Sequence, residues 1–189
     1  MTQHINSIVS KCYYHLRTLG KLRPVLTCSA ANSLAVATVT SRLDYCNSAL
    51  WSIPASQVDR LQKIQNTAAR IVTRTKTSDH IKPVLRDLHW LPVSKRMDYK
   101  VLSLAHACMH KTAPDYLQEI VPAYEPSRRL RSSSQSRFSL PAVEDTNKKR
   151  SGARAFSNAA PKLWNSLPDN LKNIESASLF QKKLKAFLF

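Results

Sequence analysis

Residues 56–75 read Ser56-Gln57-Val58-Asp59-Arg60-Leu61-Gln62-Lys63-Ile64-Gln65-Asn66-Thr67-Ala68-Ala69-Arg70-Ile71-Val72-Thr73-Arg74-Thr75, and this stretch decides the fold class. Neither glycine nor proline interrupts it. Val58, Leu61, Ile64, Ala68, Ile71 and Val72 recur at three- and four-residue spacing, so they share one face of a helix. Ser56, with Asp59 three residues on, reads as a carboxylate variant of the capping box. Arg60, Lys63, Arg70 and Arg74 fall on a second arc, about 130° round the helix at 100° per residue. An apolar stripe beside a cationic one has two readings. It is a solvated face on an ordinary core helix, or a surface that meets the phosphates of nucleic acid.

Working outward, the same periodicity predicts further helices. Gln3 to Leu19 carries Ile5, Ile8, Val9, Cys12, Leu16 and Leu19 on one stripe, with Gly20 where a C-terminal cap belongs. Ser29 to Leu50 reads as one helix with Leu34, Val36, Val39, Leu43, Cys46 and Leu50 apolar, although β-branched residues weaken it. Pro83 to Leu88 suits a helical turn with Pro83 first, and Pro114 opens another through Val121. Ser94 to His110 aligns Met97, Val101, Leu104 and Cys108 on one face. Tyr124 to Arg150 has little periodicity and reads as a basic linker in which Phe138, Leu140 and Val143 suit a short strand or a docking patch. Ala153 to Leu167 and Ser178 to Leu188 close the chain as helices. In the last, Ser178 and Gln181 form a capping box, and Phe180, Leu184, Phe187 and Leu188 face inward. The fold class is therefore mainly α: a helical bundle over 1–123, an irregular basic linker over 124–151 and a small C-terminal helical segment over 152–189.

Composition narrows the function. The 189 residues are 43% apolar and carry 29 Lys and Arg against 12 Asp and Glu, a formal charge of +17. Residues 1–76 hold ten basic residues against two acidic, residues 77–126 are balanced, and residues 127–189 hold thirteen against four. Such a surplus repels itself in a folded chain and favours polyanionic partners, RNA or DNA above all. Two glycines suit helices better than a turn-rich β architecture. Four cysteines without a CxxC pair, and a start lacking a signal-peptide pattern, suggest reduced thiols and a nuclear or cytoplasmic setting. No apolar run approaches the ~18 residues that span a bilayer, so no membrane partner is expected.

Several segments resemble the C-terminal part of a LINE-type, non-LTR retrotransposon reverse transcriptase of the Jockey-like group. They are Arg42-Leu43-Asp44-Tyr45-Cys46-Asn47-Ser48, Leu61-Gln62-Lys63-Ile64-Gln65-Asn66-Thr67-Ala68-Ala69-Arg70-Ile71 and Leu88-His89-Trp90-Leu91-Pro92-Val93. Ala113-Pro114-Asp115-Tyr116-Leu117, the run from Arg154 to Pro168 and Phe180-Gln181-Lys182-Lys183-Leu184-Lys185 continue the likeness in order along nearly the whole chain. The sequence departs from the family pattern at Lys111-Thr112, where a glycine-containing turn is usual. The resemblance implies the thumb and the segment beyond it, which grip template and primer behind the palm.

It also sets a test for catalysis. Polymerase activity in the family needs paired aspartates in a Tyr/Phe-x-Asp-Asp turn to hold two divalent metals, and no Asp-Asp dipeptide occurs here. Asp44 is a lone carboxylate on a helix surface. No enzyme, cofactor or catalytic residue is therefore expected in these residues.

Arg60, Lys63, Arg70 and Arg74, with Arg128, Arg129 and Arg131 of the linker, are the candidate phosphate contacts. Tyr14, near Lys11 and Arg17, is the candidate for base stacking, whereas Tyr13 neighbours the apolar stripe and reads as core. His106 and His110 have the i, i+4 spacing of a zinc pair, but they fall opposite Met97, Val101, Leu104 and Cys108 with no further ligands near. They read as a solvent-facing pair, and no metal site is expected. Trp51, Trp90 and Trp164 read as packing anchors. The linker suits a nucleic-acid arm or a plain solvated loop, with a nuclear localisation signal at Lys148-Lys149-Arg150 ranked behind both. Two other classes remain open: a translated fragment with no selected function, and an interaction module whose exposed apolar helix faces serve a homo- or hetero-oligomer.

Overall fold

α1 (Thr2–Leu22) buries Ile5, Ile8, Cys12, Leu16 and Leu19, the stripe that sequence periodicity marks. It does not end at Gly20. Gly20 stays out of the left-handed region, and the helix runs on until Pro24, which has no N–H to continue the ladder. The chain tightens there into a 3₁₀ turn, Arg23–Val25. The computed structural model from which these elements are taken describes residues 2–124, 137–140 and 155–189. Within them the chain is mainly helical, as the periodicity implies.

The region read as one helix from Ser29 to Leu50 is broken. α2 (Cys28–Ala35), capped by Thr27, widens into a π-helical segment, Val36–Thr40, before α3 (Ser41–Asp44). Side chains compete with the backbone there: Thr38 Oγ1 donates to the Leu34 carbonyl at 2.7 Å and Ser41 Oγ to the Ala37 carbonyl at 2.6 Å. The wide turn keeps Ala31, Ala35, Val39 and Leu43 buried in steps of four, and it leaves Val36 and Cys46 exposed, against expectation. Tyr45 then turns extended, Cys46 adopts φ 52°, and a 3₁₀ turn spans Asn47–Leu50.

α4 (Ala55–Thr73) is the long central helix, starting one residue before the capping box predicted at Ser56. Pro54 is the cap residue, and its carbonyl accepts from the Gln57 and Val58 amides. The Ser56 side chain makes no cap because the chain already turns helical ahead of it. α5 (Ile81–Asp87) takes Pro83 as its third residue rather than its first, and α6 (Val93–Met109) follows. α7 (Asp115–Ile120) begins after Pro114 as expected. α8 (Phe156–Asn165), α9 (Asp169–Lys172) and α10 (Ala177–Leu188) complete the described residues. Ser176, not Ser178, precedes α10 and makes no side-chain cap, and Phe187 is 55% exposed rather than inward-facing. Phe187 lies within about 20° of the buried Phe180 round α10, so its place in the last turn rather than its angle leaves it out of the core.

Contacts divide the chain within α6, not at residue 123. One unit comprises Met1–Asn47 and Ile53–Arg96, the other Ser48–Ser52 and Met97–Phe189. The reason lies in the second core, where Val101, Leu102, Ala105 and Cys108 of α6 pack with Ala159, Ala160, Trp164, Phe180 and Leu184. A helix shared with that core cannot belong to an N-terminal bundle alone. Phe138 joins the same core at 2% exposure, pairing with Ala123 as an isolated antiparallel bridge in place of a strand. Leu140 is exposed, and Val143 lies outside the described residues. Lys111 takes φ 55°, and the Lys111, Thr112 and Ala113 amides return to carbonyls of Ala107 and Cys108. A lysine thus holds the left-handed turn that glycine adopts without strain, which costs about 1 kcal/mol.

Candidate nucleic-acid interface

Within the first unit, α1 and α2 both pack on α4, and α4's polar residues fasten the segments around it. Gln65 is 1% exposed, and its Nε2 donates to the Leu91 carbonyl at 2.8 Å. Gln62 Nε2 donates to Gln65 Oε1 and Asn66 Oδ1, while Gln62 Oε1 accepts from the Val93 amide at 2.8 Å. Arg96 donates from Nε to the same Leu91 carbonyl and pairs through Nη1 with Asp44. Three segments distant in sequence therefore meet: the one around Asp44, the one around Gln65, and the one at Leu91–Val93. Asp44, at the surface end of α3, pairs with Arg96 and accepts from Asn47 Nδ2.

The predicted cations divide. Lys63 is exposed, and its ammonium makes no hydrogen bond among the described residues. Arg60 is half-buried, donating to Gln57 Oε1 at 2.9 Å and to Asn6 Oδ1 of α1 at 3.0 Å. Arg70 donates to the carbonyls of Lys76, Thr77 and Asp79 and so holds the loop after α4. Arg74, at φ 58°, closes α4 by an amide bond to the Arg70 carbonyl and donates from Nη2 to the Arg23 and Pro24 carbonyls. Arg23, unmarked by periodicity, completes the cap: its guanidinium donates to the Ile71, Val72 and Leu26 carbonyls at 2.8–3.0 Å. Cations at these last carbonyls also complement the negative end of the helix dipole. Arg128, Arg129 and Arg131 lie outside the described residues, as does Lys148-Lys149-Arg150.

Tyr14 is 69% exposed with its ring edge-on to His15, while Tyr13, expected in the core, is 43% exposed. On α1 its position falls just outside the buried stripe, so a tyrosine there keeps its rim in solvent. Trp90 and Trp164 are buried anchors, and Trp51 packs against the second core with Nε1 donating to Asp98 Oδ1 at 3.1 Å.

A second basic feature of the first unit was not foreseen. A cleft of about 650 Å³ is lined by His4, Ser7, Ile8 and Lys11 of α1 and by Ala37, Ser41, Arg42 and Tyr45 opposite. Tyr45 is 67% exposed, and Arg42 Nε is buried without a hydrogen-bond partner among the described residues. Cys12 lies buried, its thiol pushed up to about 11 by burial while the Arg42 guanidinium pulls the other way. The signal for this cleft in the sequence is slight: His4, Ser7, Lys11 and Tyr14 share one face of α1, but nothing local shows what faces them.

The histidine pair is not solvent-facing. His106 is 2% exposed in the second core, stacks on Phe180 at 4.2 Å between ring centroids, and donates from Nε2 to the Ile174 carbonyl at 2.7 Å. Burial lowers its pKa from the ordinary 6.5, opposed by the Ile174 hydrogen bond and aided by the nearby His110. Periodicity put His106 opposite the apolar face of α6; the residues around Ile174 and Phe180, distant in sequence, cover that side. Among the described residues no cluster of three or more His, Cys, Asp or Glu is placed to hold a metal ion, and no helix is long and apolar enough to cross a membrane. Comparison with protein-family models, with curated proteins and with solved structures finds no match to this chain.

Proposed function

We propose that this chain is a non-catalytic remnant of a LINE-type reverse transcriptase that binds RNA or DNA backbone without reading sequence. The observation that carries the reading is the charge: +17 on 189 residues, concentrated in the two ends. Electrostatic attraction of that size is released only by polyanions, and it is independent of base sequence. The ordered run of reverse-transcriptase-like segments supplies the kind of polyanion, a template–primer duplex. The lack of an Asp-Asp pair favours gripping over phosphoryl transfer as the part these residues play.

Lys63 presents the most accessible positive charge on α4, and Arg60 is half-buried. Arg70 and Arg74 add their fields while fastening the end of the helix, and Arg128, Arg129 and Arg131 are further candidate cations by sequence. Anisotropy of a labelled RNA–DNA duplex against salt tests this. Affinity should fall steeply between low and moderate salt, and Lys63→Glu should weaken binding and reduce the log–log slope by about one. Binding that ignores salt, or a nuclease-treated protein that self-associates and does not shift with nucleic acid, overturns the reading.

A further inference from the structure

The cleft between α1 and the 37–45 segment has the chemistry of a site rather than of a packing gap. Its lining offers the Lys11 ammonium, the Arg42 guanidinium, the His4 ring and the Ser7 and Ser41 hydroxyls, and it includes no carboxylate. Asp44, the acid nearest in sequence, is turned to Arg96 and Asn47 instead. Arg42 lines the cleft as a half-buried residue, and its Nε makes no hydrogen bond among the described residues. Nε itself is closed to solvent, so what Arg42 offers a ligand in the cleft is the rest of its guanidinium, a positive charge with no carboxylate beside it on the lining.

The walls carry irregular backbone of the kind that clusters at binding sites. Both irregularities belong to the wall opposite α1: it follows the π-helical turn Val36–Thr40 and ends at Cys46, φ 52°, next to the exposed Tyr45 of the lining. The face of α1 that enters the cleft continues beyond it. His4, Ser7, Lys11, Tyr14, Thr18 and Lys21 follow at three- and four-residue spacing, so Tyr14 lies one turn past Lys11 on the same side.

We propose that this cleft binds single-stranded nucleic acid, with Lys11 and Arg42 on phosphate oxygens and the Tyr45 and Tyr14 rings stacking on bases. The inference rests on the nucleic-acid reading above and adds a surface distinct from the α4 stripe. Cations and hydroxyls alone would suit any phosphate. The exposed Tyr45 ring on the lining, with the exposed Tyr14 one helical turn past Lys11, suits unpaired bases, which a duplex keeps stacked away. The two surfaces lie on different flanks of α1: Arg60 reaches it at Asn6, roughly 140° round the helix from Lys11.

The test uses the full chain, a fluorescein-labelled oligo(dT) strand and an RNA–DNA duplex of equal length, with thermal melting of every variant. Tyr45→Ala should weaken oligo(dT) binding about tenfold, as loss of one stacked base does, while Tyr45→Phe binds as the parent does. Arg42→Gln and Lys11→Gln should each weaken it severalfold and lower the salt slope by about one. Lys63→Glu should weaken the duplex and spare the single strand. Tyr45 is exposed, so its variant reads the cleft even if Arg42→Gln disturbs the fold. Oligo(dT) bound equally by the parent, Tyr45→Ala and Arg42→Gln overturns the cleft. A parent that binds duplex but no single strand does the same and leaves the proposed function standing. A parent that binds neither overturns both.

Discussion

Donors reach backbone carbonyls in both units, Lys172 Nζ to Asn165 in the second included, but the two units enclose their most telling polar side chains differently. In the first, a central helix sends amides and guanidiniums to backbone carbonyls: Gln65 to Leu91, Arg70 to the 76–79 loop, Arg23 to the end of α4. In the second, an imidazole is enclosed by aromatic rings, with Phe180 and Trp164 around His106 and a single bond to Ile174. The first arrangement uses groups whose charge is constant near neutrality. The second depends on a ring that can be protonated. The lesson is that one mainly helical chain contains a part fastened by hydrogen bonds and a part held by packing, and each should fail in its own way.

The largest expected effect is on the packed part. Phe180 is fully buried against His106 and Trp164, so Phe180→Ala should remove about 3–5 kcal/mol from the second unit. Native-state hydrogen exchange should show protection lost in α8 and α10 and kept in α4. Equal loss in both units would break the contrast.

A smaller loss should follow Gln65→Ala. It removes a buried amide that joins Gln62 to the Leu91 carbonyl and should cost the first unit about 1–3 kcal/mol. The same exchange experiment should now report α4 and α6's first turn. If Gln65→Leu proves as stable as the parent, packing rather than the hydrogen bonds holds that segment.

Acid should sharpen the contrast with the smallest change. His106 has a lowered pKa in the folded chain, so the unfolded chain takes up the proton first as pH falls. Its contribution is fully present above 6.5 and is lost as pH falls from 6.5 through the folded value. The His110 ring lies 4.2 Å from that of His106 between centroids, so His110→Gln should accompany the measurement. Denaturant midpoints at pH 7.5 and 5.5 should separate for the second unit and coincide for the first, and His106→Leu should abolish most of the separation. Identical midpoints in both units would show that the ring gains its proton without leaving the core.

How legible these features were in the sequence follows from how local their causes are. The α4 stripe could be read because Leu61, Ile64, Ala68 and Val72 repeat within one helix. The same periodicity placed Gln65 on that stripe, but its polarity hid it until the Leu91 carbonyl appeared opposite. The break at Val36–Thr40 was hinted at by β-branched residues and hydroxyls. Where the wide turn falls depends on the Thr38 and Ser41 hydroxyls winning carbonyls from the ladder. His106 was misread because its cover comes from residues nearly seventy positions away.

By itself the sequence determined the helical class, the start of most elements, the excess of positive charge and the absence of a paired-aspartate turn. Those depend on residue type and on spacing along one chain. Tertiary structure alone decided where the two cores divide α6, which arginines spend their donors on carbonyls, and that Arg42 and Tyr45 face Lys11 across a cleft. Each of those is a meeting of groups far apart in sequence, and no local periodicity records what a side chain will meet once the helices are packed.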